Sequence, residues 1–245
     1  MPVNPLILKL EAFHALSEAD KELLTRLSTT SRTVGPREDL IREGDPPERV
    51  YLILEGFACR YKILPDGSRH IMAYMVPGDL CDLHVFILKT MDHSIGTLSA
   101  CEVVDLPRAQ VMEMIERPAI ARALWWSGLV DGATLREWLV NIGARSAEER
   151  VAHLLCELLV RLRLVGLATE DRYELPITQN ELGDTMGLST VHVNRVLQRL
   201  RAEGLIIFKS QKLVILKVAE LMAFSGFNPN YLHLESRRTL YAARG

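Results

Sequence analysis

The chain has 245 residues, 48% of them hydrophobic, and carries 29 lysines and arginines against 31 aspartates and glutamates, a formal net charge of −2. That length holds one large or two ordinary domains with real cores, the absence of any run near twenty apolar residues excludes a spanning helix, and the charge balance does not by itself point to nucleic acid. The start, MPVNPLILKLEAF, has no signal-peptide pattern and Cys59, Cys81, Cys101 and Cys156 form no C-x-x-C pair, so the expectation is a cytoplasmic chain whose cysteines are small buried hydrophobes rather than metal or iron–sulfur ligands.

After a polar entry, Ser17–Leu27 reads as a short helix capped by Ser17, with Asp20 at the third position. From Thr33 to about Leu106 the signal becomes strands. Val50–Leu54 is a dense apolar run and Glu55-Gly56 a turn. Phe57, Cys59, Tyr61 and Ile63 then alternate with Ala58, Arg60 and Lys62, the period of a half-buried strand. Asp66-Gly67 marks a hairpin, Arg69–Val76 the returning strand, Pro77-Gly78-Asp79 its break, and Ile95–Leu106 a last strand region. Turns also recur at Gly35-Pro36 and Gly44-Asp45-Pro46-Pro47, a spacing that predicts an antiparallel β-roll, jelly-roll-like, over residues 1–117.

Pro107 opens a helical stretch, Arg108–Glu116, and Pro118 a longer one, 118–145. In the second, Leu124 with Trp125, Gly128, Gly132, Leu135, Leu139 and Ile142 fall close to a 3.5-residue repeat. The alternatives are a helix packed on its own domain and a seam between two copies. Each glycine would weaken an isolated helix by roughly 1 kcal/mol relative to alanine, and close approach of two backbones gives a reason to keep them. The expectation is a dimerisation helix with Leu124, Gly128, Gly132, Leu135, Leu139 and Ile142 on its seam.

Ser146-Ala-Glu-Glu149 is a capping box starting a helix to about Leu164, which makes Arg145-Ser146 a natural hinge. After a loop, Gly166–Pro176, the stretch Thr178–Gly204 reads as two short helices. Thr178 with Glu181 is another capping box, Gly187 a left-handed stop and Ser189 a second cap. Val193, Val196, Leu197 and Leu200 share a buried stripe, while Thr190, Val191, Asn194, Arg195, Gln198, Arg199 and Arg201 face outward. Leu205–Phe208 and Leu213–Val218 read as a hairpin and Val218–Phe224 as a closing helix; the predicted domain runs 146–224, with a tail at 225–245. Residues 1–145 carry a net −4 and residues 146–245 a net +2, so positive charge gathers where phosphates would be met. Two helices of this pattern are those of a helix-turn-helix, whose second helix enters the DNA major groove; the alternative on these residues alone is a helical hairpin with a solvated basic face.

The order is then an α+β chain: β-roll, long helix, winged helix-turn-helix. It resembles the Crp/Fnr family of bacterial transcription regulators from about Leu6 to Phe224, on Gly44-Asp45, Leu54-Glu55-Gly56, Asp66-Gly67, Pro77-Gly78-Asp79, Cys101-Glu102-Val103, Arg150-Val-Ala, and Ile177-Thr-Gln through Ile206. The most specific block is Gly187-Leu188-Ser189, Val193-Asn194-Arg195, Leu197, Leu200 and Gly204-Leu205-Ile206. The resemblance implies a homodimer on duplex DNA that works with RNA polymerase and has no membrane partner. It places Thr190, Val191, Asn194 and Arg195 on bases, and Thr178, Gln179, Ser189, Gln198 and Arg199 on phosphates. Val191 departs from the family, whose well-known members carry glutamate there.

Members that bind cyclic AMP use a Gly-Glu-Leu segment and, further on, an arginine followed by serine or threonine. The corresponding residues here are Gly78, Asp79 and Asp82, then Asp92-His93-Ser94, with Leu135 and Arg136 at the purine-facing helix positions. No arginine lies between Arg69 and Arg108, so this effector pocket reads as vestigial and cyclic AMP is not the expected signal. No cofactor is expected. A cyclic nucleotide is one alternative, and haem on His70, His84 or His93 in a haem- or redox-responsive sensor is another. A cupin-like metalloenzyme would need an H-x-H pair, which is absent, so no catalytic residue and no metal site is assigned and the chain is not expected to be an enzyme.

Overall fold

The computed structural model describes residues 4–83 and 85–234. The chain divides into two units: one takes residues up to Arg60, Tyr74–Thr134 and those from Asn230, the other Tyr61–Ala73 and Leu135–Pro229.

The first unit begins with α1 (Pro5–Glu11), which replaces the polar entry expected from the sequence. Asn4 accepts the Leu6 amide at 2.9 Å and Pro5 sits in the first turn, where its missing N–H costs nothing. Leu6, Ile7 and Leu10 are buried. In α2 (Glu18–Leu27) the Ser17–Asp20 capping box forms. Eight strands follow: β1 (Arg32–Val34), β2 (Asp39–Ile41), β3 (Arg49–Glu55), β4 (Ala58–Ile63), β5 (Arg69–Met75), β6 (Leu80–Cys81), β7 (Ser94–Thr97) and β8 (Cys101–Pro107). They make two four-stranded sheets, ordered β1-β8-β3-β6 and β2-β7-β4-β5. The pairings β1–β8, β3–β8, β3–β6 and β2–β7 are antiparallel, as the turn spacing predicts for a β-roll. β3 is apolar on both faces because both are covered: Val50–Ile53 is buried throughout.

The period-two reading of β4 fails at both ends. Ala58, predicted outward, has no exposed surface, and Ile63, predicted inward, is 54% exposed. The strand ends in a hairpin turned at Asp66-Gly67, where Leu64 donates to the Ser68 carbonyl at 2.8 Å.

α3 (Arg108–Ile115) leads into α4 (Pro118–Ala144), a single helix of 27 residues. Ile120, Ala123 and Leu124 of its first turns join the core of the first unit. Leu124 is 1% exposed and so cannot lie on an open seam. Its neighbour Trp125 is the exposed residue. One position on a helix is about 100° of rotation, which is the size of that correction.

In the second unit, α5 (Ala147–Leu164) starts from the Ser146–Glu149 capping box and is buried along all of Val151–Leu159. It packs against β9 (Arg172–Glu174), α6 (Gln179–Met186), α7 (Thr190–Ala202) and α8 (Val218–Ser225). The segment read as a loop, Gly166–Pro176, contains β9. That strand completes an antiparallel sheet ordered β10-β11-β9, where β10 is Ile206–Lys209 and β11 is Lys212–Ile215. Tyr173 fixes it from inside by donating to the Leu155 carbonyl at 2.8 Å.

Between α6 and α7, Gly187 takes φ 64°, and the Leu188 amide returns to the Gly183 carbonyl at 3.1 Å. This satisfies a carbonyl that the helix end would leave open. A Cβ on Gly183 would lie 2.5 Å from the Leu188 carbonyl oxygen, so the turn closes only over a glycine. Gly183→Ala is expected to lower unfolding stability by about 1–3 kcal/mol, the usual cost of overpacking, read as an earlier denaturant midpoint with an unchanged slope.

Candidate nucleic-acid interface and effector region

Ser189 caps α7, its Oγ accepting the His192 amide at 3.3 Å. The helix turns Val193, Val196, Leu197 and Leu200 into the core, which sends positions 190, 191, 194, 195 and 198 outward. With Gln179 from the first turn of α6, these five line one open depression of about 320 Å³. The four residues expected on bases, Thr190, Val191, Asn194 and Arg195, therefore share a surface with two expected on phosphates, Gln179 and Gln198. No carboxylate is among the six lining residues.

Their hydrogen bonding differs. Thr190 Oγ1 donates to Asn180 Oδ1 at 3.3 Å, and Asn194 Nδ2 donates to Gln179 Oε1 at 3.1 Å. Val191 is 68% exposed. Arg195 and Gln198 make no hydrogen bond or ion pair among the described residues. Thr178 and Ser189 each accept an amide in a cap, which leaves the hydroxyl hydrogen to donate. Arg199 is already paired: Nη1 donates to Glu148 Oε1 at 3.0 Å and Nε to Glu203 Oε1 at 3.1 Å. A phosphate would have to compete with two carboxylates there.

In the first unit the residues read as an effector pocket separate by role. A Cβ on Gly78 would meet the Pro5 carbonyl oxygen at 2.7 Å, so this residue is part of the seat of α1. Asp79 accepts from Lys9 Nζ at 2.7 Å and from the Val76 amide at 2.8 Å. Ser94 Oγ accepts the Glu43 amide at 2.9 Å. These are structural partners. Asp82 remains, held by His93 Nε2 at 2.9 Å and lying 3.1 Å from Arg60 Nε.

Arg60 is a cation beside Asp82 that lies outside the arginine-free stretch between Arg69 and Arg108. The guanidinium comes from β4, ahead of that segment, and alternation had put it on the solvent face. Its side chain is 16% exposed and lies between Asp82 and Asp131, 3.4 Å from Asp131 Oδ2. Burial opposes its charge, but Asp82 and Asp131 outweigh that and raise its pKa.

Leu135 and Arg136 belong to the second unit and are exposed. On α4, Trp125, Leu129, Leu135, Leu139 and Val140 are all large apolar residues at least 50% exposed, while Gly128, Gly132 and Ile142 are intermediate. Of the proposed haem ligands, His70 is half-buried and His93 has both ring nitrogens against carboxylates; His84 lies outside the described residues. Among the described residues no group of three or more His, Cys, Asp and Glu could hold a metal ion.

Residues 149–224 match a family model described as a Crp-like helix-turn-helix domain, and residues 31–118 one described as a cyclic nucleotide-binding domain. The chain is 31% identical over 171 residues to the nitrogen fixation regulation protein FixK of Bradyrhizobium diazoefficiens, covering 69% of this chain and 70% of that protein. It is 31% identical over 194 residues to the transcriptional activatory protein AadR of Rhodopseudomonas palustris, covering 78% and 79%. Among solved structures, FixK2 from Bradyrhizobium japonicum superposes with a TM-score of 0.71 at 26% identity, over 80% of this chain and 96% of that one.

His93 makes a pH signature measurable. Nε2 faces Asp82 and Nδ1 faces Asp92 at 2.7 Å, so both nitrogens must donate and the ring must be protonated to satisfy both. Burial opposes the charge, but the two aspartates prevail and raise its pKa above 6.5. A raised folded pKa gives stability that is complete below the unfolded value and lost as pH rises through the folded one. The melting temperature of the first unit is expected to fall as pH climbs above 6.5. His93→Gln should flatten that slope; an unchanged slope would remove His93 as its cause.

Proposed function

Because the chain belongs to the Crp/Fnr family of transcription regulators, we propose that it works as a homodimer whose two α7 helices read a near-palindromic site in duplex DNA. It is a DNA-binding transcription regulator of the Crp/Fnr type. The observation that carries the rest is the depression on α7: Thr190, Val191, Asn194 and Arg195 lie together at the N-terminal half of the second helix, with amide neighbours and no carboxylate. Arg195, unpaired among the described residues, suits the bidentate contact of a guanidinium with guanine O6 and N7, and Val191 suits a thymine methyl. Thr178, Gln179, Ser189, Gln198 and Arg199 take phosphates, Arg199 by exchanging its carboxylate partners.

The exposed apolar stripe on α4 supports the dimer. Isolated apolar side chains are ordinary on a surface, but Trp125, Leu129, Leu135 and Leu139 recur on one helix at four- and six-residue intervals. The effector region argues against cyclic AMP. A cyclic phosphate needs an uncommitted cation, and Arg60 is held by Asp82 and Asp131. On this reading the protein acts by binding rather than catalysis, in the cytoplasm, with RNA polymerase as its protein partner. Among the described residues no helix is long and apolar enough to cross a membrane, and relatives such as Anr of Pseudomonas aeruginosa are named as transcriptional activators.

The test is selection of bound sequences from a random duplex pool, with and without cyclic AMP. A dyad motif unchanged by the nucleotide is expected; a motif that appears only with the nucleotide would refute the effector reading. On the selected site, Arg195→Ala should cost about 1–3 kcal/mol and relax preference at one base pair. Equal weakening on all sequences would make Arg195 a phosphate contact instead. Leu139→Glu should shift the sedimenting species from dimer to monomer and abolish binding to the full site.

A further inference from the structure

Recognition of one particular base requires a side chain that presents fixed donors and acceptors, and Asn194 is held in that state. Its amide offers two N–H donors and one carbonyl acceptor. One N–H is given to Gln179 Oε1 at 3.1 Å. The second N–H and Oδ1 have no other partner among the described residues, and both side chains line the depression on α7.

We propose that Asn194 reads an adenine and that Gln179 is the residue that positions it. Oδ1 accepts from the adenine N6 amino group while the second Nδ2–H donates to N7. The other bases do not match this pair in the major groove. Guanine presents two acceptors, cytosine a lone donor, and thymine a lone acceptor beside its methyl. With Gln179 Nε2 turned to a phosphate, the contact fixes which way the Asn194 amide points, because turning Asn194 over would then set its oxygen against Gln179 Oε1. Gln179 keeps its own Nε2 for the DNA backbone, where a neutral amide commonly donates to phosphate. Gln179 is the first residue of α6 and Asn194 lies in the second turn of α7, so the pair bridges the two helices whose spacing Gly183 sets. This assignment rests on the DNA-reading role of α7 and adds to it the base that one side chain selects.

The experiment uses the full chain and the site recovered by selection. Wild type is expected to prefer adenine at one position of each half-site by roughly 5- to 150-fold, the range of a bidentate amide contact. Replacing that adenine with 7-deazaadenine, which removes only the N7 acceptor, should lower wild-type affinity severalfold. Asn194→Ala should bind all four bases there within about twofold and be indifferent to 7-deazaadenine, while the preference assigned to Arg195 persists. Gln179→Ala should narrow the adenine preference. Gln179→Glu, which keeps an acceptor for Asn194 but repels phosphate, should keep the preference while weakening every sequence. The idea is overturned if Asn194→Ala keeps the preference or weakens all sequences equally, if wild type ignores 7-deazaadenine, if Gln179→Ala discriminates as wild type does, or if the Asn194-dependent base is guanine. Failure of wild type to enrich any motif would instead overturn the DNA reading itself, and this assignment with it. The 7-deazaadenine comparison is made on wild-type protein, so it decides even where a variant fails to fold.

Discussion

A carboxylate with no exposed surface sits in the middle of the second unit. Glu157 accepts from Trp138 Nε1 at 2.9 Å and from Arg161 Nη1 at 3.1 Å. A buried charge is tolerable only with such partners, and removing one partner of a buried pair typically costs about 3–5 kcal/mol. Trp138 comes from the last third of α4, and Glu157 from the stretch of α5 that is covered on every side. The contact therefore fixes α4 to the helix on which α6, α7 and α8 rest. Neighbouring polar contacts repeat the tie. Asn141 Nδ2 donates to the Arg150 carbonyl at 3.3 Å, and Arg150 Nη1 donates to the Met186 carbonyl, the last residue of α6, at 3.2 Å. Any rotation of the end of α4 must be passed to α5 and α6 or break these bonds.

The parts legible in the sequence were those written in neighbouring residues. The three capping boxes and the left-handed Gly187 involve residues within a few positions of one another. The stripe Val193–Leu200 has a period that only a helix satisfies. The depression on α7 follows from that stripe by elimination. Gln179 and Asn194, fifteen positions apart, meet only because α6 and α7 pack, so their contact was not visible.

What was missed depends on distant partners. Arg60 looked solvated because β4 alternates, but the residues that cover its far face, Asp82 and Asp131, come from the segment after β6 and from α4. α1 has an apolar run too short to show a period, and β9 has three residues inside a polar loop. Leu124 and Trp125 are adjacent apolar residues, and composition alone cannot say which of the two faces inward. Packing decides it, through Ile120 and Ala123 on the same face as Leu124.

One histidine in each unit responds to protons in the opposite sense to the other. His153 is wholly buried in α5, 3.3 Å from Glu137. Burial first, then Arg145, lowers its pKa to about 4 against the pull of Glu137, so protonation below pH 6.5 works against the folded second unit. His93 does the reverse in the first. The depression on α7, in the second unit, contains neither histidine nor carboxylate: its lining is threonine, valine, two glutamines, asparagine and arginine. Acidity can thus change how firmly each half of the molecule holds together without rewriting the alphabet it reads. Adaptation to a new pH and adaptation to a new operator are open to separate mutations.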